Sequence, residues 1–401
     1  MSLNNTPKAN RLHIGIFGRR NAVKSSLINA LTGQNLAIVS DTPGTTADPV
    51  YKSMELHPIG PVVFIDTAGF DDEGGLGQLR VARTADVIAK TDVAILVTDG
   101  SAADDTCETN WLDRLEKACV PVITVRSKSD TPDCGRDAAD AFASAIPVSA
   151  KTGDGIEELR TAIINAVPEE FMQDRILGEV LEDGSLVMLV MPQDIQAPKG
   201  RLILPQVQTL RELLDRKWSV MSTTADGFTK ALESLHRAPD LIITDSQCFH
   251  EVYQKKPEQS ALTSFSILMA AAKGDIDVFM DGASAIDEAL ANDAERFRVL
   301  IAEACTHVPL NEDIGTVKIP RLLQKQFGGR VEITNVRGND FPDAEGLKQY
   351  DLIIHCGACM FNRRHVLSRI AAAREADVPI TNYGIFLAKM AGILDNVTLP
   401  D

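Results

Sequence analysis

A phosphate-binding loop pattern near the start of the chain constrains the fold more than any other feature. Residues 18–25 (GRRNAVKS) stand between an apolar run at residues 12–17 and a helical pattern at residues 24–31. They match the pattern G-x-x-x-x-G-K-[ST] at all but one position, because Val23 replaces the second glycine. In such a strand–loop–helix unit, the backbone N–H groups at the helix start bind phosphate. The sequence therefore predicts a nucleotide-binding α/β domain.

Individual residues of this loop have predicted roles at the phosphates. Lys24 would neutralise β- and γ-phosphate oxygens, and Ser25 would ligate Mg²⁺. Gly18 and Ser26 complete the predicted binding residues at the two ends of the loop. Val23 is β-branched and is ill-suited to the positive φ angle that glycine readily adopts. We therefore expect crowding beside the phosphates and weaker nucleotide binding.

Two segments that follow the loop match the remaining phosphate and Mg²⁺ contacts of a nucleotide site. The run PGTT at residues 43–46 offers the hydroxyls of Thr45 and Thr46 in a loop that would close over Mg²⁺. The run DTAG ends the next long strand pattern. Its Asp66 fits a carboxylate beside Mg²⁺, and the N–H of Gly69 fits the γ-phosphate.

Two later segments match the contacts of a guanine base. Asp130 ends the run SKSD after an apolar strand pattern, and its carboxylate would accept from the N1 and N2 donors of guanine. Ser127 stands where asparagine is usual in such a motif. A further run, SAK, follows the next short strand and would support the base. The predicted base-binding residues are Ser127, Lys128, Asp130, Ser149, Ala150 and Lys151.

Strand and helix patterns alternate along the whole chain and predict an α/β protein with largely parallel sheets. The chain has 401 residues, which is too long for one core, because domains usually contain about 100–200 residues. We predict a phosphate-loop domain over residues 1–170 and two further αβ domains over residues 171–261 and 262–401. In the last domain, strands are expected at residues 277–280 and 351–355, among others.

Three of the seven cysteines form a two-part pattern. Cys305 and His307 make C-x-H, and His355, Cys356 and Cys359 make H-C-x-x-C, with 47 residues between the histidines. Cys305 and Cys356 each follow a predicted strand, so a parallel sheet would bring both to its carboxyl edge. Three interpretations stay open on chemistry alone: structural zinc, an iron–sulfur cluster on three thiolates, or buried thiols with hydrogen-bonded histidines.

Charge and composition exclude several classes of function. The formal net charge is −16, and an acidic chain is repelled by phosphate backbones, so we expect no nucleic-acid partner. Residues 1–11 contain no apolar segment, and the apolar runs are far shorter than the ~20 residues that span a bilayer. An odd number of cysteines argues against a disulfide framework. We therefore expect a cytoplasmic protein without a membrane partner.

The N-terminal motifs resemble those of translation-factor-related GTPases, in the branch of tRNA-modification and ribosome-assembly GTPases. The PGTT run looks like the switch I of that branch, and Asn21 looks like its K⁺-binding asparagine. Phe70 follows the DTAG glycine, where other GTPases carry a water-positioning glutamine. The resemblance implies binding of GTP, GDP and Mg²⁺, with slow, K⁺-stimulated hydrolysis. The implied catalytic residues are Lys24, Thr45, Thr46, Asp66 and Gly69.

The combination of this GTPase pattern with C-x-H…H-C-x-x-C resembles the HydF family, the scaffold GTPases of [FeFe]-hydrogenase maturation, over essentially the whole chain. The resemblance implies a homodimer, with residues 171–261 as the dimerisation domain and residues 262–401 as the iron–sulfur domain. It also implies that a transient diiron precursor passes from two radical-enzyme maturases to the apo-[FeFe]-hydrogenase.

The same resemblance assigns the residues of the two-part cysteine pattern. Cys305, Cys356 and Cys359 would hold a [4Fe–4S] cluster. His307 and His355 are candidates for the remaining iron or for a role beside the ligands.

Other classes of function stay open on the residues. An RNA- or ribosome-directed GTPase with a structural zinc domain would combine the same motifs, although the acidic charge and the lack of a Lys/Arg-rich tail argue against it. A third hypothesis is a GTPase whose hydrolysis is regulated by the redox state of a cluster.

Overall fold

The structure of the protein is a computed structural model. It describes residues 7–19, 22–33, 49–69, 83–99, 106–131, 142–172, 176–192, 202–292, 295–304 and 313–400. The chain folds as two compact units, Met1–Asp174 and Arg175–Asp401. Within the described ranges, no helix is long and apolar enough to cross a membrane.

A six-stranded sheet forms the centre of the first unit. Its strands are β1 (Leu12–Gly18), β2 (Val50–Leu56), β3 (Gly60–Asp66), β4 (Val93–Asp99), β5 (Val122–Ser127) and β6 (Ile146–Pro147). The spatial order is β2-β3-β1-β4-β5-β6, and all neighbours are parallel except β2 and β3. This arrangement confirms the predicted α/β class with a largely parallel sheet.

Helices cover both faces of this sheet. Successive strand residues point to opposite faces, so each strand contributes side chains to both cores. On one face, Ile14 and Ile16 pack with Leu27. On the other face, the ring of Phe17 stacks with that of Trp111 at a centroid distance of 5.9 Å. Burial on both faces explains why these strands are continuous apolar runs. Four helices with both ends among the described residues of this unit are α1 (Lys24–Thr32), α2 (Thr106–Lys117), α3 (Ile156–Ala166) and α4 (Glu169–Met172).

The parallel strands bring four loops to one edge of the sheet. Strands β1, β3, β5 and β6 end at this edge, and the loops after them contain residues 18–24, 66–69, 127–130 and 148–151. Ligands of open α/β sheets bind at the carboxyl ends of the strands. The loops with the predicted phosphate, Mg²⁺ and base contacts therefore begin at a common edge.

The second unit contains two four-stranded sheets, both parallel throughout. The first has β7 (Leu186–Val190), β8 (Ser219–Thr223), β9 (Leu241–Thr244) and β10 (Ala261–Ser264), in the order β10-β9-β7-β8. The second has β11 (Phe297–Glu303), β12 (Val331–Arg337), β13 (Leu352–His355) and β14 (Ile380–Asn382), in the order β12-β11-β13-β14. The domain boundary predicted between residues 261 and 262 falls inside β10.

The two sheets of the second unit share a hydrophobic core. Ile242 of β9 belongs to the same buried cluster as Leu300 of β11 and Ile353 of β13. The α-helices among the described residues of this unit are α5 (Leu204–Asp215), α6 (Phe228–Glu233), α7 (Phe249–Lys255), α8 (Phe265–Lys273), α9 (Ile276–Ala291), α10 (Ile319–Phe327), α11 (Ala344–Leu347), α12 (Arg363–Glu375) and α13 (Tyr383–Met390).

One predicted strand is wrong. Residues 277–280 lie inside α9, whose N-terminus is capped by the side chain of Asp275, which accepts from the N–H of Val278 at 3.2 Å. Phe279 is buried in the shared core. A short apolar run does not show whether its period is 2 or 3.6 residues, and here the cap and the packing select the helix.

Candidate functional site

The phosphate loop closes on itself through the side chain of Lys24. The ammonium of Lys24 donates to the carbonyls of Gly18 at 2.9 Å and Arg19 at 2.8 Å, and the residue is buried. The loop is tightened by the N–H of Ala22, which donates to the Arg19 carbonyl at 3.2 Å. The ammonium thus lies at the start of α1, where a phosphate would bind. Asn21, assigned to K⁺, lies outside the described residues.

Val23 adopts a left-handed backbone conformation, with φ 62° and ψ 24°. This is the conformation that glycine tolerates and that costs a side-chain-bearing residue about 1–2 kcal/mol. Val23 therefore takes the conformation that the glycine of the motif would readily adopt, at the expense of local backbone strain.

A second contact joins the phosphate loop to the end of β3. The hydroxyl of Ser25 donates to Oδ2 of Asp66 at 2.5 Å. The Oδ1 atom of Asp66 is buried and has no hydrogen-bond partner in the described structure. Burial raises the pKa of Asp66, while Ser25 and the charge of Lys24 oppose this rise. A hydroxyl beside a buried carboxylate oxygen without a partner fits a hard cation such as Mg²⁺.

The end of β3, where Asp66 lies, is fixed by the side chain of the next residue, Thr67. The hydroxyl of Thr67 is buried and donates to the carbonyl of Ile16 at 2.6 Å. Gly69 is the last described residue of this loop. Thr45, Thr46 and Phe70 lie outside the described residues, so their predicted roles stay predictions.

The base-binding segments line a cavity of about 170 Å³. Asp130, Lys128 and Ala150 are among its lining residues, together with Val23 from the phosphate loop. The hydroxyl of Ser149 donates to Oδ1 of Asp130 at 2.8 Å, which fixes the orientation of the carboxylate. A planar base could enter this cavity beside a carboxylate that accepts hydrogen bonds.

The Ser149 hydroxyl is itself held by the backbone of the following turn. It accepts from the N–H groups of Lys151 at 3.3 Å and Thr152 at 3.1 Å. Ser127, which replaces the usual asparagine, donates its hydroxyl to the carbonyl of Thr98 at 3.0 Å. Ser26 is half-buried in the first turn of α1. Ser127 therefore ties its loop to β4, and Ser149 orients the acidic residue.

The first unit also contains an ion pair that no sequence motif indicates. Nε and Nη2 of Arg19 donate to the two carboxylate oxygens of Glu108 at 2.7 and 2.8 Å. The Glu108 side chain has no exposed surface. The pair joins the phosphate loop to α2. No local pattern identifies it, because a glutamate in the first turn of a helix is ordinarily exposed.

The H-C-x-x-C half of the cysteine motif begins at His355, the last residue of β13. The Sγ atom of Cys356 accepts from the N–H of Ala304 at 3.0 Å and of Ala358 at 3.4 Å. Burial raises the pKa of the Cys356 thiol to about 11, and these N–H groups oppose the rise. Ala304 is the last described residue before Cys305, and it follows the end of β11. Cys305 and His307 lie outside the described residues.

The C-x-x-C turn is tied to helix α8. Ala358 has a positive φ of 50° in this turn. The ammonium of Lys273, a buried residue, donates to the carbonyls of Ala358, Cys359 and Phe361 at 3.2, 3.4 and 2.8 Å. Cys359 is half-buried and forms no disulfide. Two reduced cysteines in a turn with N–H donors to sulfur fit a thiolate-ligated metal group.

His355 is buried, and both of its ring nitrogens have partners. Nδ1 lies 2.7 Å from the Cys356 carbonyl, and Nη1 of Arg369 lies 2.9 Å from Nε2. Because arginine only donates, Nε2 accepts and Nδ1 carries the proton. Burial, together with the charge of Arg369, lowers the pKa of His355 to about 3. The arrangement supports the predicted role beside the ligands more than the predicted role as a ligand.

The described residues do not contain a complete metal site. In these ranges, no group of three or more His, Cys, Asp and Glu side chains is close enough to hold a metal ion. The other described cysteines, Cys107, Cys119 and Cys248, are also free. The third predicted thiolate, Cys305, falls in residues 305–312, which the structure does not describe.

Three successive parts of the chain each match a model of a known protein family. Residues 13–128 match a family model described as a 50S ribosome-binding GTPase. Residues 176–274 match the hydrogen maturase F dimerization domain, and residues 277–400 match the hydrogen maturase F tetramerization domain. The first unit therefore contains a GTPase domain, and the second contains two domains named for oligomerisation.

Curated relatives resemble the N-terminal part. The tRNA modification GTPase MnmE of Nitrosomonas eutropha is 37% identical over 170 residues, which cover 42% of this chain and 37% of that protein. GTPase Der of Brucella ovis is 31% identical over 201 residues, which cover 47% of this chain and 41% of that protein. The chain thus spans less than half the length of these relatives.

Among solved structures, Aquifex aeolicus Era bound to GDP and aluminium fluoride aligns with a TM-score of 0.34 and 18% identity. The alignment covers 53% of this chain and 92% of that chain.

Proposed function

This chain belongs to the hydrogen maturase F (HydF) family, and on that premise we propose that it is a GTP-hydrolysing scaffold for a metal cluster. The scaffold holds a [4Fe–4S] cluster and assembles or delivers the diiron subcluster precursor of apo-[FeFe]-hydrogenase. The observation that carries the proposal is the hydrogen bond from Ala304 to the sulfur of Cys356, because it joins the ends of β11 and β13, the two strands that precede the halves of the cysteine pattern.

The nucleotide part of the proposal rests on the contact between the phosphate loop and the end of β3, and for switch I on the family resemblance alone. Lys24 neutralises the β- and γ-phosphate oxygens that replace its present carbonyl partners. Ser25, Asp66 and Thr46 would hold Mg²⁺, which neutralises charge on the phosphates. The N–H of Gly69 donates to the γ-phosphate. Thr45 and Thr46, which lie outside the described residues, would close the site from switch I.

The proposal also includes a slow rate of GTP hydrolysis and its stimulation by K⁺. Phe70 cannot orient the attacking water as a glutamine would, so hydrolysis is slow. Asn21 provides an oxygen ligand for K⁺ beside the phosphates, so K⁺ stimulates turnover. Both residues lie outside the described ranges, and these features stay predictions from the family resemblance.

The cluster part of the proposal rests on Cys305, Cys356 and Cys359. Three thiolates would hold three irons of a [4Fe–4S] cluster and leave the fourth iron open to an exchangeable ligand. The N–H groups of Ala304 and Ala358 lower the energy of the Cys356 thiolate, because hydrogen bonds to the charged form favour it.

The second unit contains dimerization and tetramerization domains, and the chain therefore oligomerises. We propose that residues 171–261 form the homodimer contact and residues 262–401 the cluster domain, after a GTPase domain over residues 1–170. The proposed exchange partners are the two radical-enzyme maturases and apo-[FeFe]-hydrogenase. We propose a cytoplasmic protein without a nucleic-acid or membrane partner.

The test of the proposed function is anaerobic reconstitution of the full chain with iron and sulfide. Cys305→Ser, Cys356→Ser and Cys359→Ser should each lose most of the bound iron, because a hydroxyl is a poor ligand for a soft cluster. Cys119→Ser at an exposed cysteine is the matched control and should bind as much iron as the parent. GTP hydrolysis should survive in all four variants. Full iron and sulfide in the triple cysteine variant would disprove the proposal.

The alternative is an RNA- or ribosome-directed GTPase with a structural zinc site. The match of residues 13–128 to a ribosome-binding GTPase favours it, whereas the net charge of −16 and the match of residues 176–400 to HydF domains do not. Purified protein that is colourless and carries stoichiometric zinc would support this alternative. A brown protein with broad visible absorption would exclude it.

A further inference from the structure

A buried arginine lies beside the cysteine motif and has no part in the function proposed above. Arg369 belongs to α12 and is 3% exposed. Its Nη1 atom donates to Nε2 of His355 at 2.9 Å, and its Nη2 atom donates to the carbonyl of Gly338. Its Nε atom is buried and has no hydrogen-bond partner in the described part of the chain. The fork of the guanidinium thus joins β13 to the turn after β12.

Two aromatic rings lie against the guanidinium. The rings of Phe341 and Phe361 each lie 4.6 Å from its central carbon. The ring of His365 stacks on Phe361 at a centroid distance of 3.9 Å. Such a stack holds a planar cation in one orientation, because cation–π attraction and packing both favour it.

No carboxylate forms an ion pair with Arg369 among the described residues. A buried charge without an opposite charge is costly, and the hydrogen bond to His355 brings the guanidinium to the residue next to Cys356. The guanidinium therefore lies where a negative charge on Cys356, or on a group that Cys356 holds, compensates it.

The contact with His355 also determines what that imidazole can do. Since Nε2 accepts from Arg369, the proton is on Nδ1, and Nδ1 donates to the Cys356 carbonyl. Neither nitrogen has a lone pair left for a metal ion. The first residue of the C-x-x-C turn is thereby held through its carbonyl, while its sulfur is held by backbone N–H groups.

We propose that Arg369 is the positioning residue of the C-x-x-C turn: it holds His355 as the Nδ1–H tautomer and adds a positive charge beside the group bound at Cys356. This inference rests on the proposed function for the identity of that group. With a cluster bound, the positive charge stabilises the reduced form more than the oxidised form, and so raises the reduction potential. His355 acts through the turn and not as an iron ligand.

Two replacements separate the charge from the hydrogen-bond fork. Arg369→Lys keeps the charge but cannot reach two acceptors with a planar fork, and Arg369→Met removes both at similar volume. Arg374→Met is the matched control, because it removes an arginine from the same helix at an exposed position paired with Asp275. Thermal unfolding of each variant shows whether the second unit is folded, and unchanged GTP hydrolysis shows that the first unit is unaffected.

Two readouts test the proposal on the full chain. In the cluster-free protein, ¹⁵N NMR of the imidazole should show the Nδ1–H tautomer of His355 in the parent and in Arg374→Met, and its loss or mixing in both Arg369 variants. After reconstitution, the reduction potential should move to more negative values in Arg369→Met, and stay near the parent in Arg369→Lys and Arg374→Met.

The outcomes that overturn the inference differ from those that overturn the proposed function. An unchanged tautomer or an unchanged potential in folded Arg369→Met would overturn the positioning role. An imidazole nitrogen coupled to the cluster in the parent and lost in His355→Asn would do the same. Failure of the parent to bind iron and sulfide would instead overturn the proposed function, while the tautomer measurement would still decide the role of Arg369.

Discussion

The nucleotide site and the cysteine turn both lie at the carboxyl edge of a parallel sheet, but different kinds of contact hold them. In the nucleotide site, most of these contacts join motif residues: Lys24 bonds to Gly18, and Ser149 bonds to Asp130. The pair of Arg19 with Glu108 of α2 is an exception. In the cysteine turn, the groups that hold the motif come from helices without a motif. Lys273 of α8 and Arg369 of α12 are the main ones.

This difference teaches where sequence motifs are sufficient. A phosphate loop acts mainly through its own backbone N–H groups and adjacent side chains, so a local pattern contains most of the site. A buried turn that carries thiols needs partners for its backbone carbonyls and its charges. These partners are side chains that lie far away in the sequence. Mutations should therefore separate the two sites cleanly.

The largest effect is expected from Lys24→Ala. Removal of the ammonium leaves the developing charge on the phosphates without its main cation, so GTP hydrolysis should fall by about 10²–10³-fold. Steady-state phosphate release measures this, with Lys117→Ala on the exposed face of α2 as the control. Iron content after reconstitution should not change. A loss of bound iron in Lys24→Ala would break the proposed independence of the two sites.

Asp130→Asn is expected to have the next largest effect. The amide presents a donor where guanine needs an acceptor, so affinity for GTP should fall about 100-fold and affinity for xanthosine triphosphate should rise. Competition with a fluorescent nucleotide measures both. Asp154→Asn, at an exposed aspartate that bonds to Thr152, is the control. Equal affinity of the parent for ATP and GTP would contradict the assignment of the base site.

Lys273→Met tests the contacts that hold the cysteine turn. Three carbonyls of the cysteine turn lose a buried donor, which should destabilise the second unit by about 2–3 kcal/mol. Calorimetry should then show a melting temperature lower by about 4–12 °C for the transition of this unit. Lys255→Met removes an exposed lysine paired with Glu251 and should have almost no effect. Weakened GTP binding in Lys273→Met would contradict the separation of the sites.

The smallest effect is expected from Val23→Gly. Relief of left-handed strain gains about 1–2 kcal/mol, and the greater freedom of glycine in the unfolded chain cancels about 0.5–1 kcal/mol. The free energy of unfolding of the first unit should therefore rise by about 0–1.5 kcal/mol, as measured by calorimetry. Nucleotide binding should also tighten, because no side chain then crowds the phosphates, and calorimetric titration measures this. Val23→Ala keeps a side chain at positive φ and should gain less. No gain in the glycine variant would mean that the loop accommodates valine without cost.

The fold class could be predicted because strands buried on both faces are continuous apolar runs with helical patterns between them. β1 and β4 show this directly, since their residues are buried on both sides of the sheet. The run at residues 277–280 failed because four residues are too few to define a period. The edge strand β10 was not expected either, because it follows a polar segment with a proline.

The sequence motifs also identify the candidate nucleotide residues. The structure brings Ser25 to Asp66 and Ser149 to Asp130, within hydrogen-bond distance in each case. It also reveals the pair of Arg19 and Glu108, which no motif indicates. Nothing in the local sequence shows that a glutamate on α2 becomes completely buried.

The sequence by itself determined the class of the fold, the order of the nucleotide motifs and the cysteines available for a metal group. These depend on residue type and spacing along the chain, which the sequence states directly. Only the tertiary structure decided that His355 has both nitrogens engaged and that Arg369 and Lys273 surround the C-x-x-C turn. Such contacts arise because buried polar groups must find partners wherever the packed chain provides them, and those partners lie far away in sequence.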